Sequence, residues 1–331
     1  MGFRKLIVLI GIALTAMVMP ACSGETDPET HSPSFPQTSP DANNHEPSAA
    51  VVVSTDFGAE IILEETVAIS GNTTALSALK SVIEVETEYG GGFVSAIGGI
   101  SSEYGDSGNK KDWFFYINGF SSNTGAAAYI LNDGDLEHWD FHDWGFRQFI
   151  PGIAGEFPEP FLHGYGGEVR PTLVCCQEGW EDSARSIAEH LSGLGVAEVA
   201  VRSPGELTTD EQESANLILL GTAEFPLIDE MNQVWNKIGL FARFEDGKLK
   251  TYDGAGELDM EYGEAAGVIQ AAQNPWNTSG TGVCQNVAWM VSGLDEAGVE
   301  STVAALLTNS DAFRYGFGAV TVGGEIIRVP R

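Results

Sequence analysis

Hydrophobic and polar positions along this chain keep two periods, and the change from one to the other divides it. In "KDWFFYINGFSSNTGAAAYILNDGDLEHWD" (Lys111 to Asp140), Trp113, Phe115 and Ile117 alternate with Phe114 and Tyr116, the period-two pattern of a strand. Asn118-Gly119 ends that run, because both residues tolerate positive φ in a turn. A small-residue loop from Ser121 to Ala128 leads to Tyr129-Ile130-Leu131, and "NDGD" supplies a second turn. Leu136, His138 and Asp140 then alternate with Glu137, Trp139 and Phe141 in a closing strand. Both faces of this hairpin are too aromatic for a half-solvated sheet, so one is expected on a core and the other on a partner or ligand. Upstream, Val51 to Phe57 and Ile61 to Ile69 read as strands joined across Gly58. Asn72 or Thr73 caps a short helix whose Leu76, Leu79 and Ile83 recur at helical spacing. Gly90-Gly91-Gly92 then releases the chain into "FVSAIGGI", a third strand.

Beyond Phe146 the pattern changes. Pro151, Pro158, Pro160 and several glycines punctuate Gly145 to Gly167, an interdomain linker or a lid. After it strand and helix alternate. "RPTLVCC" is a buried strand, a helix follows from Glu181 to Leu194, and "AEVAVR" and "NLILLG" are further apolar runs bounded by turn signals. Pro226 to Ile238 reads as a helix with proline near its start, and "GLFARF" and "KLKTYD" as a hairpin across Asp246-Gly247. "AAGVIQAAQNPWN" and "VAWMVSGLD" are apolar runs, the second feeding a helix from Glu296 to Leu307, and "GFGAVTV" and "EIIRVP" close the chain as a hairpin across Gly323-Gly324. The alternation predicts a layered α/β domain with a mostly parallel sheet. The fold class expected for the chain is α+β: a β-rich unit over 51–146, a linker over 147–168 and the α/β domain over 169–331.

The strand "WFFYING", its spacer and "DGDLEHW" resemble the C-terminal domains of transcobalamin and intrinsic factor, and "TTALSALKSV" and "GGFVSAIGGI" fit that family's helix and following strand. The resemblance covers Val51 to Phe146. It implies a β-grasp-like fold, in agreement with the order of two strands, a helix and further strands. It also implies cobalamin, over which the vertebrate members close together with a helical domain; no such helical domain is read in this chain. On this resemblance Trp113, Phe115, Tyr116 and Trp139 meet a large planar ligand, a corrinoid, while Asn118 and the turn of Asp133 and Asp135 meet its polar edges. Asp140, His142 and Gly145 fit D-x-H-x-x-G, the signature in which a histidine replaces cobalamin's lower axial base. Here the motif follows the last strand of a β-rich unit, and the other reading is a surface histidine between Trp139 and Trp144. In the second unit, "NLILLGTAEFPLIDEMN", "GVIQAAQNPWN" and "WMVSGLDEAGVESTVAALL" resemble the α/β domains of archaeal S-layer-type surface proteins, which implies a cell-envelope context without catalysis.

Composition narrows the partners. Of 331 residues 43% are hydrophobic and 10% aromatic, enough for two cores, while 47 acidic against 16 basic residues give a formal charge of −31. That sign argues against nucleic acid and against anionic lipid headgroups, and serves solubility or weak divalent-cation binding. Arg4 and Lys5 precede an apolar stretch, Leu6 to Val18, and "MPAC" ends at Cys22. This is the pattern of a bacterial lipoprotein signal over residues 1–22, with Cys22 lipidated as the mature N-terminus; a simple secretory signal cut elsewhere is the alternative. Residues 23–50, rich in Pro, Ser, Thr and Asn, have almost nothing to bury and read as a disordered tether in which His31 and His45 receive no role. Cys175 and Cys176 are adjacent and Cys284 is distant, which leaves a disulfide to Cys284 or buried thiols.

Other chemistry is sparse. Asp133, Asp135 and Glu137 alternate as in a calcium loop, but Gly134 falls where such a loop has none, and a turn explains them better. Gly221-Thr222, between a strand and a helix, suits an anion but lacks a glycine-rich loop and a lysine. Trp276 in "QNPWN" lines the same sheet edge or packs on its own domain. There is no G-x-S-x-G, H-E-x-x-H or C-x-x-C, and His190, mid-helix beside Glu189, reads as solvated. The expected protein is therefore not an enzyme and holds no resident cofactor or metal. It is read as a membrane-anchored, extracytoplasmic lipoprotein that binds a small molecule, a corrinoid by choice, for uptake or scavenging, with a transporter or surface-layer proteins as partners. The alternative is a structural or adhesive envelope protein.

Overall fold

In a computed structural model of the chain, residues 45–89, 92–104, 110–147 and 149–331 are described; the expected signal sequence, Cys22 and most of the expected tether lie outside them. β1 (Ser48–Thr55) and β2 (Glu60–Ala68) are antiparallel. α1 (Ala75–Val82) follows, capped by Thr74 and not by Asn72 or Thr73; the Thr74 side chain accepts the Ser77 N–H, and Leu76 and Leu79 turn inward. β3 (Val85–Glu88), β4 (Phe93–Ile97) and β5 (Ile100–Ser101) form a small antiparallel sheet of their own. The run expected as one strand folds back at Gly98-Gly99, both at positive φ. β6 (Glu103–Tyr104), β7 (Lys110–Ile117), β8 (Phe120–Ser121) and β9 (Leu136–Asp143) complete the main sheet, ordered β2-β1-β9-β7-β6 with β8 on β7. β1 and β9 run parallel and the other pairs antiparallel. The first strand begins at Ser48, inside the stretch expected as tether, because Ala49 and Val51 to Val53 are buried in the core.

The second half contains β10 (Thr172–Cys176), α2 (Glu181–Gly193), β11 (Val199–Arg202), α3 (Thr209–Ser214), β12 (Asn216–Thr222) and α4 (Pro226–Gln233). A three-stranded antiparallel sheet follows, β13 (Ala242–Glu245), β14 (Lys248–Tyr252) and β15 (Leu258–Tyr262). Then come β16 (Gly267–Gln273), β17 (Val287–Gly293), α5 (Glu296–Thr308), β18 (Gly318–Val322) and β19 (Glu325–Val329). The large sheet is ordered β11-β10-β12-β17-β16-β18-β19. It is parallel from β11 to β17 and antiparallel from there to β19, so it is mixed and not mostly parallel. The direction follows the connections: Gly323-Gly324 allows only an antiparallel return, whereas the parallel strands are separated by helices. The whole is a mixed α+β structure, mostly sheet with few helices.

One face of the large sheet packs Val174, Ile218 and Trp289 with Ile187 of α2 and Val299 of α5; the other packs Leu173, Leu217 and Met290 with Ile228 and Met231 of α4. Cys176 and Cys175 fall on these opposite sides, as strand alternation requires, and with Cys284 they are free, buried thiols. The segment expected as a linker or lid is a packed wedge. Ile150, Ile153, Ala154 and Phe161 are buried, and Ile153 N–H donates to Gly119 O at 3.0 Å while Gly155 N–H donates to Gly316 O at 2.8 Å. A Cβ on Gly155 would lie 2.3 Å from Phe313 O, so glycine lets the wedge approach the second half. From His45 onward the described residues form one compact unit.

Candidate functional site

Strand alternation sends the odd and even residues of β7 and β9 to opposite sides. Trp113, Phe115, Ile117, Trp139 and Phe141 face α1 in the core of the first half, with Phe115 and Trp139 stacked at 4.9 Å. Phe114 and Tyr116 face the other way, onto Phe57, Ile150, Ile153, Phe241 and Phe317. The partner awaiting the second aromatic face is thus the chain's own second half. Trp113, Tyr116 and Trp139 are 6%, 1% and 4% exposed and Phe115 is packed against the core, so these rings are not offered to an outside molecule. Burying a ring of this size removes roughly 150–250 Å² from water, which favours covering it wherever the chain can.

The polar residues read beside them are also spent. Asn118, buried and at φ 49, donates from Nδ2 to Asp135 Oδ1 and to Gly164 O, both at 2.8 Å, and its Oδ1 accepts Leu136 N–H at 2.7 Å. Buried Asp135 accepts the Tyr129 hydroxyl at 3.2 Å and Asn132 N–H at 2.9 Å. Exposed Asp133 takes Ser48 N–H at 2.9 Å and pairs with His45 Nε2 at 2.7 Å, which gives His45 a role in pinning the chain's entry to the sheet. Glu137, third in the calcium-like alternation, points into the core. Its Oε1 accepts Trp139 Nε1–H at 2.7 Å and its Oε2 has no partner among the described residues. Burial pushes its carboxyl well above the ordinary range, against the opposing hydrogen bond from Trp139.

A sealed network lies where the halves meet. His142 is fully buried, stacked between Phe57 at 4.5 Å and Phe114 at 4.2 Å, with Phe317 edge-on. Its Nδ1 meets Asp140 Oδ1 at 2.6 Å and its Nε2 has no partner among the described residues. That orientation suits an axial ligand, but no face of the ring is open, so a corrin cannot reach it; nor is His142 the surface histidine of the other reading. Asp140 also accepts the Phe57 and Gly58 amides at 3.0 and 2.9 Å and the Ser54 hydroxyl at 2.5 Å. Burial alone would raise the Asp140 carboxyl, but the hydrogen bond from His142, the nearby imidazoles and Ser54 together hold it below the usual carboxylate range. His138 bridges Ser54 Oγ and Glu156 Oε1, both at 2.7 Å. Ser54, His138 and Glu156 copy the order of a nucleophilic triad, yet all are buried, and the serine gives its proton to Asp140 rather than to the imidazole. With that proton committed, Ser54 accepts from His138 Nε2–H. The arrangement fastens β1, β9 and the wedge together and leaves no nucleophile facing a substrate.

The open site lies on the small sheet. A cavity of about 450 Å³ is lined by Glu86 and Glu88 of β3, Tyr89 just beyond them, Phe93 and Ser95 of β4, and Ser101-Ser102 at the end of β5. Tyr89 is 87% exposed and sits at φ 51, a left-handed conformation that costs a bulky residue ~1–3 kcal/mol. The sheet beneath is held to β7 by Ser102 Oγ donating to Asp112 Oδ1 at 2.5 Å and Trp113 Nε1 donating to Ile100 O at 3.0 Å. Neither the Glu86 nor the Glu88 carboxylate has a hydrogen-bond or ion-pair partner among the described residues. Sequence reasoning missed this site. Its signal was the glutamates two apart on one strand face, followed by an aromatic residue and a glycine run. At the seam between the halves, a cleft of about 190 Å³ is lined by Leu136, Glu156, Glu159 and Arg314, and Arg314 is ion-paired with Glu64. Among the described residues no group of three or more His, Cys, Asp and Glu side chains is placed to hold a metal ion, and no helix is long and apolar enough to cross a membrane.

A family described as a domain of unknown function, DUF4430, matches residues 72–143. No curated protein matches the chain. Among solved structures, haptocorrin in complex with Cbi is similar at 16% identity and a TM-score of 0.25, over 30% of this chain and 26% of that one. A proposed metal-binding protein from Ruminococcus gnavus ATCC 29149 is similar at 18% identity and a TM-score of 0.23, over 30% of this chain and 98% of that one. Superpositions this loose assign no residue here a role. The family match ends at residue 143, so the surface-layer resemblance of the second half rests on its sequence alone.

Proposed function

We propose that the protein binds a small molecule without transforming it, in the groove on β3, β4 and β5. The observation that carries this reading is Tyr89, a solvated aromatic ring held in a left-handed conformation at the lip of a cavity, where no contact among the described residues repays its exposure or its strain. A corrinoid is the ligand we favour, in keeping with the transcobalamin resemblance. The flat apolar ring of a corrin suits Tyr89 and Phe93, and its peripheral amides are donors for Glu86, Glu88 and the serines. The groove is open and smaller than a whole corrinoid, so it grips one edge of the ligand. The sealed Ser54–His138–Glu156 arrangement supports a role without chemistry. The basic start, the short apolar stretch and Cys22 support a lipid anchor on the extracytoplasmic side, where the ligand is handed to a transporter.

A second reading, an adhesive envelope protein, is favoured by β2. Among the described residues it has a neighbour on one edge only, and Ile61 and Ile62 are each 39% exposed, as at an edge that accepts a strand from another chain. Titration of the purified protein with cobalamin and cobinamide, followed by corrin absorbance and tryptophan fluorescence, separates the two. The binding reading expects a saturable change at micromolar protein and a Tyr89→Ala affinity weaker by about tenfold. No saturable change removes the corrinoid, and an unchanged Tyr89→Ala affinity removes the groove.

A further inference from the structure

We infer that the seam is a proton-dependent latch: closing the wedge on the main sheet takes up one proton, and the closed state keeps it where the unfolded chain has released it. Hydrogens can be counted along the buried chain His142–Asp140–Ser54–His138–Glu156. Its four contacts, at 2.6, 2.5, 2.7 and 2.7 Å in that order, are too short for two facing lone pairs, so each encloses a hydrogen. In the unfolded chain at about pH 8 both carboxyls are ionised and both imidazoles neutral, so the serine and the two imidazoles supply only three. The fourth comes from solvent. Reversing a contact moves that hydrogen along the chain and leaves the count unchanged. With Asp140 ionised and the serine proton given to it, the extra hydrogen lies between His138 Nδ1 and Glu156 Oε1, where the network reaches the wedge. Tyr116 and Tyr315 lie beside His138, at 6.3 and 5.5 Å between ring centroids, and burial raises both phenols, so neither ionises in this range. The cleft at the seam brings Glu159, Asp311 and Arg314 to Glu156. Arg314 is paired with Glu64, and Glu159 with His163, whose imidazole that hydrogen bond raises. An unfolded imidazole loses its proton near about pH 6.5. The latch's contribution is therefore complete below that pH and is lost as pH rises through the value at which the network lets go.

Glu156→Gln brings its own amide hydrogens to His138 Nδ1 and needs none from solvent. In urea unfolding between about pH 7 and 9, the unfolding constant of the unsubstituted protein should rise more steeply than that of Glu156→Gln, by up to about tenfold per pH unit. The Glu159–His163 pair is common to both proteins and cancels in the comparison. Parallel profiles overturn the latch. Should the variant fail to fold, histidine nitrogen and carboxyl carbon NMR shifts of the unsubstituted protein at about pH 8 decide. One proton beyond the unfolded count is expected, on the second nitrogen of His138 or on the Glu156 carboxyl. A singly protonated His138 beside two ionised carboxylates overturns the inference. Hydrogen exchange tests whether the wedge is what the proton holds. The Ile153 and Gly155 amides, which donate to Gly119 O and Gly316 O, should lose protection with rising pH ahead of the amides of β12. Simultaneous loss would make the proton a property of the whole fold and overturn the latch.

Discussion

The seam between the halves and the groove on the small sheet are built from the same materials, aromatic rings and carboxylates, and they end in opposite states. At the seam Asp140 and Glu156 each meet an imidazole, Asp140 also takes a serine hydroxyl and two amides, and the rings of Phe57, Phe114 and Phe317 close on His142. At the groove the carboxylates are unpaired among the described residues and Tyr89 is 87% exposed. Aromatic density therefore marks burial as readily as binding. Partner accounting discriminates better, because a folded chain satisfies most of the polar groups it keeps for itself, although His142 Nε2 and Glu156 Oε2 stay unpaired within the seam among the described residues.

The comparison breaks most decisively at Asp140. Asp140→Ala leaves Ser54, His142 and the Phe57 and Gly58 amides without their acceptor in a buried setting, and should cost about 3–5 kcal/mol in urea unfolding at neutral pH. Because the Asp140 carboxyl lies below its unfolded value, its contribution is complete above the unfolded value and disappears as pH falls through the folded one. The mutant's deficit should shrink accordingly in acid. A neutral-pH loss under about 1 kcal/mol would mean the seam does not act as a unit. A smaller effect of opposite sign belongs to Glu137. Its folded carboxyl is raised, so the folded state keeps a proton that the unfolded chain releases, and stability declines as pH climbs from the unfolded value toward the folded one. Glu137→Gln should add about 1–2 kcal/mol at pH 7 and flatten that decline, as followed by unfolding midpoints between about pH 4 and 8. An unaltered slope would contradict the assignment. The smallest effect sharpens the contrast from the other side: Glu86→Gln and Glu88→Gln should leave the thermal midpoint where it is. A clear drop would make those carboxylates part of the scaffold.

Much of the fold was legible and the site was not, for separable reasons. The apolar runs of "TLVCC", "NLILLG" and "VAWMVSG" stand out because strands buried on both faces carry no polar positions. Their direction does not, since such a run reads the same in a parallel or an antiparallel pair, and the expected mostly parallel sheet is instead antiparallel at β16. Thr208 and Glu211 form a capping box whose T-x-x-E spacing was visible, yet α3 behind it buries no residue and left no periodic signal. The ribbon's need for a second covering surface was readable from Phe114 and Tyr116, but whether that surface is a ligand or residues two hundred positions away depends on tertiary packing. The glutamates and the glycine run around Tyr89 are visible locally, but whether its ring ends covered depends on the same tertiary packing.

Strand order has a mechanical consequence. β1, the first strand to follow the N-terminal stretch, lies inside the sheet with β2 on one side and β9, parallel to it, on the other. A pull applied through the residues before Ser48 and resisted by the rest of the body loads both rows of β1 hydrogen bonds in shear, all at once, instead of peeling an edge strand one bond at a time. If Cys22 does fasten this protein to a surface, the attachment enters the body at a strand well suited to bear drag.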